Sequence, residues 1–374
     1  MPLILALLVL AISAIPASVY LIVPAFFSFT ATTSKNKLKL LKINHPTAAL
    51  ASIIIITSLI SLIALSTTQG ILLSLRGAAR PLLYILLTIV IFKTPKHQLV
   101  QAIRFVTLSL MAALPLQGHL SLIEGIGGIQ RYQFIFEHPN HFAYFLLPVL
   151  IYFLALEENH RMKILGLLVT LVSLALAKSS GAFITAMIII ALHYLKGTKA
   201  LIYGILIGSI CAAAIFTTGI LDKILDQATS FDPTAINSKI SDQNFGGSGS
   251  LSWRFVYWGS IWKSFSLEPW YTFLFGLGYG SMTYGSYAYD FMYTDPHNDY
   301  LKVLAENGCI GLVALGYIIY KIFNLKTKER WLILTATTLP MFFGNILVNP
   351  AFISALGIVI AISLKTYDER RSLC

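Results

Sequence analysis

The sequence predicts an all-α, polytopic integral membrane protein of about 11–12 transmembrane helices, forming a single transmembrane domain over residues 1–374. Three observations carry that reading. The chain is 56% hydrophobic and 11% charged, with a mean hydropathy of +0.75, whereas a soluble domain carries about 25% charged residues. The apolar runs are long and continuous, which suits helices rather than the short alternating strands of a barrel. Cations cluster in short loops that alternate with cation-poor ones, the pattern by which basic loops stay inside.

Taken in order, spans are expected at 3–26, 46–66, 71–92, 99–118, 141–156, 164–177, 181–195, 200–219, 299–320, 331–348 and 351–364. Dividing residues 1–29 at Pro16 into a hairpin gives a twelfth and moves the N-terminus inside. The basic loops are Lys35 to Lys42, Lys93 and Lys96, Arg161 and Lys163, Lys196 and Lys199, Lys321 to Arg330, and Lys365 to Arg371. This distribution explains the net charge of +11 by topology and argues against nucleic-acid binding. The first apolar run lacks a basic leader and is expected to stay as an anchor. Cys211, Cys309 and Cys374 offer neither a disulfide framework nor a thiolate metal site.

Two segments on the expected outer side are not membrane-like. One runs from Gly118 to Asn140; the other is a loop region over 222–298, the one sizeable extramembrane piece. The first half of that region is polar and turn-rich. Its second half holds Trp253, Trp258, Trp262 and Trp270, four of the five tryptophans, so chemistry is sought there.

His297 follows Asp295-Pro296 at the mouth of the ninth span, with Asn298 or Asp299 as the helix cap. A helix N-terminus disfavours imidazolium and attracts anions, so this histidine reads either as a base or as an interfacial residue bound to nearby backbone. Arg254, Trp258, Ile261 or Trp262, and Phe265 recur at helical spacing, which suggests an amphipathic helix lying on the membrane surface. They read as an interfacial anchor, or as a guanidinium for phosphate with tryptophan faces for sugar rings. Asp299, Lys302 and Glu306 share a face of the ninth span, where Lys302 and Glu306 are expected to pair. Gly308 and Gly311 read as a helix break or close packing. Lys178, in the turn Lys178-Ser-Ser-Gly-Ala182, either reaches phosphate or snorkels; Arg80, bordering the third span, carries the same ambiguity. His138 and His141 lack a carboxylate or cysteine partner for a metal, so none is expected. Gly276-Leu-Gly278-Tyr-Gly280 has no βαβ context for a nucleotide and reads as a tight turn.

Asp-Pro-His297-Asn-Asp-Tyr-Leu followed by Ala-Glu306-Asn-Gly-Cys-Ile-Gly311-Leu resembles the signature of the O-antigen ligase and polymerase superfamily. His138-Pro-Asn140-His-Phe-Ala143, Ser252-Trp-Arg254 with Trp258, and Glu268-Pro269 through Gly280 resemble further motifs of that family, in order, over roughly 137–315. The resemblance implies metal-independent, cofactor-free glycosyl transfer at the periplasmic face of a bacterial inner membrane, which makes 222–298 a periplasmic loop region. The implied donor is a glycan on undecaprenyl diphosphate and the implied acceptor is lipid A-core, with membrane lipids around both. It gives His297 the role of catalytic base and Arg254 that of diphosphate ligand, with Asn298, Tyr300, Trp258 and Asn140 as site-lining residues. One departure stands out: where the family has an arginine in a Ser-Arg-Gly-Ala-like turn, this chain has Ser180, leaving Lys178, Arg80 or Arg131 to supply the second cation. A polymerase with a lipid-linked acceptor, a ligase to protein hydroxyls and a transporter of the same lipid-linked glycan are the alternatives.

Overall fold

The computed structural model describes residues 84, 87–116, 122–124, 130–134, 136, 138–194, 252–278 and 296–372. The spans expected at 3–26, 46–66 and 200–219, most of that at 71–92, Arg80, and the parts of the loop region over 222–251 and 279–295 lie outside the described residues. What is described is helical almost throughout: α1 (Lys96–Ala113), α2 (Pro139–Ile151), α3 (His160–Ala177), α4 (Ser180–Tyr194), α5 (Ser252–Ser266), α6 (Trp270–Phe275), α7 (Asp299–Phe323), α8 (Arg330–Phe343) and α9 (Pro350–Ser372). A short antiparallel ribbon joins α1 to α2, with β1 (Leu122–Glu124) paired to β2 (Gln130–Tyr132) so that Ile123 faces Arg131. Among the described residues, four helical stretches are long and apolar enough to cross a membrane: Pro139–Leu156, His160–Ala177, Asp299–Phe323 and Pro350–Ser372. The all-α membrane architecture expected from composition is therefore the one observed.

α2 is the centre of the bundle. Its sequence from Phe142 onward is apolar on every side, and a helix of that kind belongs in an interior. Every residue from Phe142 to Leu154 is buried. α3, α4, α8 and α9 pack around it, and α1 closes against α3 and α9. Lipid is as apolar as leucine, so close packing and polar ties hold such helices together more than escape from water does. Asn349 supplies one tie: its Nδ2 donates to His141 O (2.8 Å) while its Oδ1 caps α9 through Phe352 N (3.1 Å).

The two ends of the bundle differ in chemistry. At one end Lys96 pairs with Glu369 (2.7 Å), Arg104 pairs with Glu157, and Lys365 Nζ donates to Thr94 O (2.7 Å). The loop cations Arg161, Lys163, Lys326 and Lys328 lie at the same helix ends. At the other end meet the starts of α2, α4, α7 and α9 and the ends of α3 and α8.

α7 is broken as its glycines suggested. Gly308 has φ 64° and ψ −164°, outside helical space, and the break frees carbonyls of the preceding turn. The Gly276–Gly278 stretch satisfies them: Leu277 N donates to Ala305 O (2.8 Å) and Gly278 N to Glu306 O (3.0 Å). The two backbones lie so close that a Cβ on Gly308 would sit 2.2 Å from Leu274 O, and one on Gly276 2.3 Å from the Glu306 carbonyl carbon. Combining left-handed strain with a backbone clash, Gly308→Ala is expected to cost about 3 kcal/mol. Gly316→Ala, on the same helix with open space around it, is expected to be neutral or slightly stabilising. Thermal melts of the two variants in detergent check the contrast; equal melting temperatures would mean that the brace is not structural.

Candidate active site

The site is built at the end of the bundle opposite those loop cations, around the segment joining α8 to α9. A helix was expected to run through 331–348, but α8 stops at Phe343 because Gly344 is extended (φ −151°, ψ −175°) and its Cα lies on the ring of Tyr144, where a Cβ would approach within 2.3 Å. α9 then starts at Pro350 behind its Asn349 cap. The intervening residues are pinned from four directions. Phe343 O accepts from Tyr144 Oη (3.1 Å) and from Arg254 Nη1 (3.4 Å). Asp299 Oδ2, fully buried, accepts from Ile346 N (2.9 Å) and Leu347 N (3.2 Å). Leu347 O accepts from Tyr84 Oη (2.9 Å). Charged acceptors make stronger hydrogen bonds than neutral ones, so the Asp299 carboxylate is the firmest of these anchors.

His297 sits against this segment at the start of α7. Asn298 caps α7 by accepting from Leu301 N (3.0 Å), so the helix begins at Asp299 and His297 is the residue before the cap. Its backbone is left-handed, φ 51°, a conformation that costs a non-glycine residue about 1–3 kcal/mol and tends to persist where function needs it. Trp258 Nε1 donates to Pro296 O (2.6 Å), tying the histidine loop to α5. The ring is half-buried, with Nδ1 3.0 Å from Asn345 Nδ2.

On α5, Tyr257, Ile261 and Phe265 are buried, Arg254 and Trp258 are half-buried and Trp262 is exposed, which decides between Ile261 and Trp262 for the inner face. The following α6 leaves Trp270, Tyr271, Phe273 and Phe275 exposed, a surface suited to the headgroup region. Arg254 reaches inward until its Nε is enclosed, and burial pushes its pKa down.

Arg131 comes to the same place from β2. Its Nη2 donates to Asn140 Oδ1 (2.6 Å) and its Nε to Ala177 O (3.1 Å), one of the terminal carbonyls of α3. Burial lowers its pKa to about 10; Tyr144 opposes that shift and the positive charge of Arg254 adds to it. It stays charged at neutral pH, in electrostatic reach of Arg254, with neutral acceptors as its hydrogen-bond partners.

The structure thus gathers Arg254, Arg131, Asn140, His297, Asn298 and Trp258 around one end of the bundle. Lys178 lies beside them as the left-handed C-cap of α3 (φ 47°), half-buried. Tyr300 is directed elsewhere: its Oη donates to Thr338 O (3.1 Å) and its ring packs on Phe342, so it joins α7 to α8. The side chains of Asn298 and Asn140 are engaged as helix cap and arginine acceptor. Lys302 and Glu306 are buried. Among the described residues no group of three or more His, Cys, Asp or Glu side chains could hold a metal ion.

Sequence reasoning missed Tyr144 and Asn345. Gly344-Asn345 and Asn349-Pro350, a helix stop and a helix start, were the signals inside the expected tenth span that could have exposed the loop. Residues 165–316 match a family model described as O-antigen ligase. A search of curated proteins returned no match. The matched segment holds Lys178, Arg254, Trp258 and His297, while Arg131, Asn140 and Asn345 fall outside it. Over residues 165–316 the match supports the O-antigen ligase and polymerase superfamily that the motifs resemble.

Proposed function

We propose that the protein is a ligase-type glycosyltransferase that moves a polysaccharide from undecaprenyl diphosphate onto lipid A-core, without metal or cofactor and with inversion at the anomeric carbon. The observation that carries this reading is the convergence on the 343–345 segment: Arg254 bonds Phe343 O and His297 contacts Asn345, two residues along. A phosphate-gripping cation and a proton acceptor are then held on one short, pinned piece of backbone.

The reaction needs little more. His297 takes the proton of the acceptor hydroxyl as its oxygen attacks the anomeric carbon; the bond from that carbon to the diphosphate oxygen breaks, and undecaprenyl diphosphate leaves with its electrons. Arg254 and Arg131 bind that leaving group and stabilise the charge it gains, while the pinned loop supplies alignment. Lipid diphosphate is already a good leaving group, so no external energy source is required. Arg131 takes the part of the family arginine absent at Ser180, since its guanidinium docks on Ala177 O, at the same turn. Lys178 is a second, less directional cation there, and Lys178→Ala is expected to cost less activity than Arg131→Ala in the same transfer assay. Arg80 has no part in this account.

Orientation follows from charge. The loop cations lie at the other end of the bundle, so the site end faces the periplasm of an inner-membrane protein by the rule that basic loops stay inside. The exposed aromatic face of α6 sits at that interface. A transporter of the same glycan would be expected to carry its charges at mid-membrane; here the guanidinium groups lie at helix ends.

The experiment is deletion of the gene followed by analysis of lipopolysaccharide. Unmodified core with long lipid-linked polymer accumulating is the expected result. Core bearing a single repeat unit would make the protein a polymerase that uses the same donor and a lipid-linked acceptor.

A further inference from the structure

A histidine base works only if the nitrogen turned toward its substrate holds a lone pair, and that is decided by what faces its other nitrogen. In His297 the other nitrogen is Nδ1, and the atom facing it belongs to Asn345, 5% exposed, with Nδ2 at 3.0 Å. Asn345 Oδ1 is enclosed and has no hydrogen-bond partner. The backbone that carries this amide is fixed on both sides, by Tyr144 and Arg254 at Phe343 O and by Asp299 at Ile346 N and Leu347 N. The amide can change its offer to the ring by turning about its Cβ–Cγ bond.

The two settings have opposite consequences. With Nδ2 toward the ring, Nδ1 must accept and the single proton of a neutral imidazole lies on Nε2. With Oδ1 toward the ring, Nδ1–H donates and the lone pair lies on Nε2. For the amide the exchange is one hydrogen bond for another. For a ring that has just taken a proton it is decisive, because imidazolium carries hydrogen on both nitrogens and would set Nδ1–H against Nδ2–H.

We propose that Asn345 is the positioning residue for His297: in the reacting state its Oδ1 accepts from Nδ1–H, leaving Nε2 to take the acceptor's proton, and then holds the imidazolium. The inference rests on the base role proposed above and adds the group that sets the tautomer.

The test uses the purified full chain, transferring glycan from a polyprenyl-diphosphate donor across a pH series, with Asn345→Leu, Asn345→Asp and His297→Ala. Asn345→Leu should lower kcat about tenfold or more with donor KM little changed, a share of the full effect of a general base. Asn345→Asp should keep most of kcat and move the acid limb of the profile to higher pH, because a facing carboxylate favours imidazolium and the neutral base is then reached later. An Asn345→Leu enzyme with wild-type kcat and acid limb overturns the inference, as does equal loss in both variants at unchanged melting temperature. Should the variants unfold, the ¹⁵N shifts of His297 in donor-bound wild type, assigned by difference with His297→Gln, decide: the proton belongs on Nδ1, and finding it on Nε2 sinks the idea. A fully active His297→Ala would remove the base reading itself; an inactive one beside an unaffected Asn345→Leu removes only this inference.

Discussion

Replacing His297 by glycine is expected to abolish transfer while leaving the protein as stable as before, or more so. Loss of a positioned base costs about 10²–10⁴ in rate, or about 3–5 kcal/mol of transition-state stabilisation. The stability half of the expectation comes from the backbone. His297 has φ 51°, and glycine adopts that conformation without the steric cost borne by a side chain with a Cβ. Loss of the Asn345 contact offsets part of that relief, since a neutral hydrogen bond contributes about 1 kcal/mol. Alanine keeps the strain and loses the ring, so His297→Ala should be both inactive and slightly less stable than His297→Gly. A His297→Gly protein that transfers glycan at the wild-type rate would strip the histidine of its chemical role. One that fails to fold would show that the ring holds the loop together instead.

The second large effect is expected at the paired guanidinium groups. Arg254→Ala and Arg131→Ala should each lower kcat/KM for the lipid-diphosphate donor by about 10–100-fold, because a hydrogen bond to a charged group contributes about 1.5–3 kcal/mol. Removing both should cost less than the product of the two, since each reports partly on the repulsion that the other relieves. Arg131→Lys should recover little, as a point charge cannot donate at once to Asn140 Oδ1 and Ala177 O in the fork geometry seen. Ser180 lies at the turn where the family places its arginine, and its Oγ is buried without a hydrogen-bond partner. Adding Ser180→Arg to Arg131→Ala should therefore restore much of the lost activity. Full activity of Arg131→Ala alone would show that the second cation comes from elsewhere.

Much of this was legible in the chain. Hydropathy and the alternation of basic loops give a helical membrane protein, and the four apolar helices at Pro139–Leu156, His160–Ala177, Asp299–Phe323 and Pro350–Ser372 overlap expected spans. The spacing of Arg254, Trp258 and Phe265 gave an amphipathic α5 but left Ile261 or Trp262 open, and Gly308 and Gly311 gave a helix break or close packing, of which Gly308 is the break. Less legible was what depends on contact between distant segments. Asn345 and Tyr144 lie in stretches apolar enough to read as uninterrupted span. Nothing local to Tyr144 announces that Gly344 will close on its ring, or that Phe343 O will take two donors. Arg131 was one of several cations of equal standing until the fold brought it to Ala177 O. Gly276 and Gly278 read only as a turn because the brace they form needs the break at Gly308 as its partner.

The most direct measurement is a reconstituted reaction in the presence of EDTA, with undecaprenyl-diphosphate-linked glycan and lipid A-core, following both lipid diphosphate release and the configuration of the new linkage. The account predicts release matched one for one by product with inverted anomeric configuration, lost in His297→Gly and strongly reduced in the Arg131→Ala and Arg254→Ala double variant. Retained configuration, abolition by the chelator, or undiminished release from those variants would contradict it.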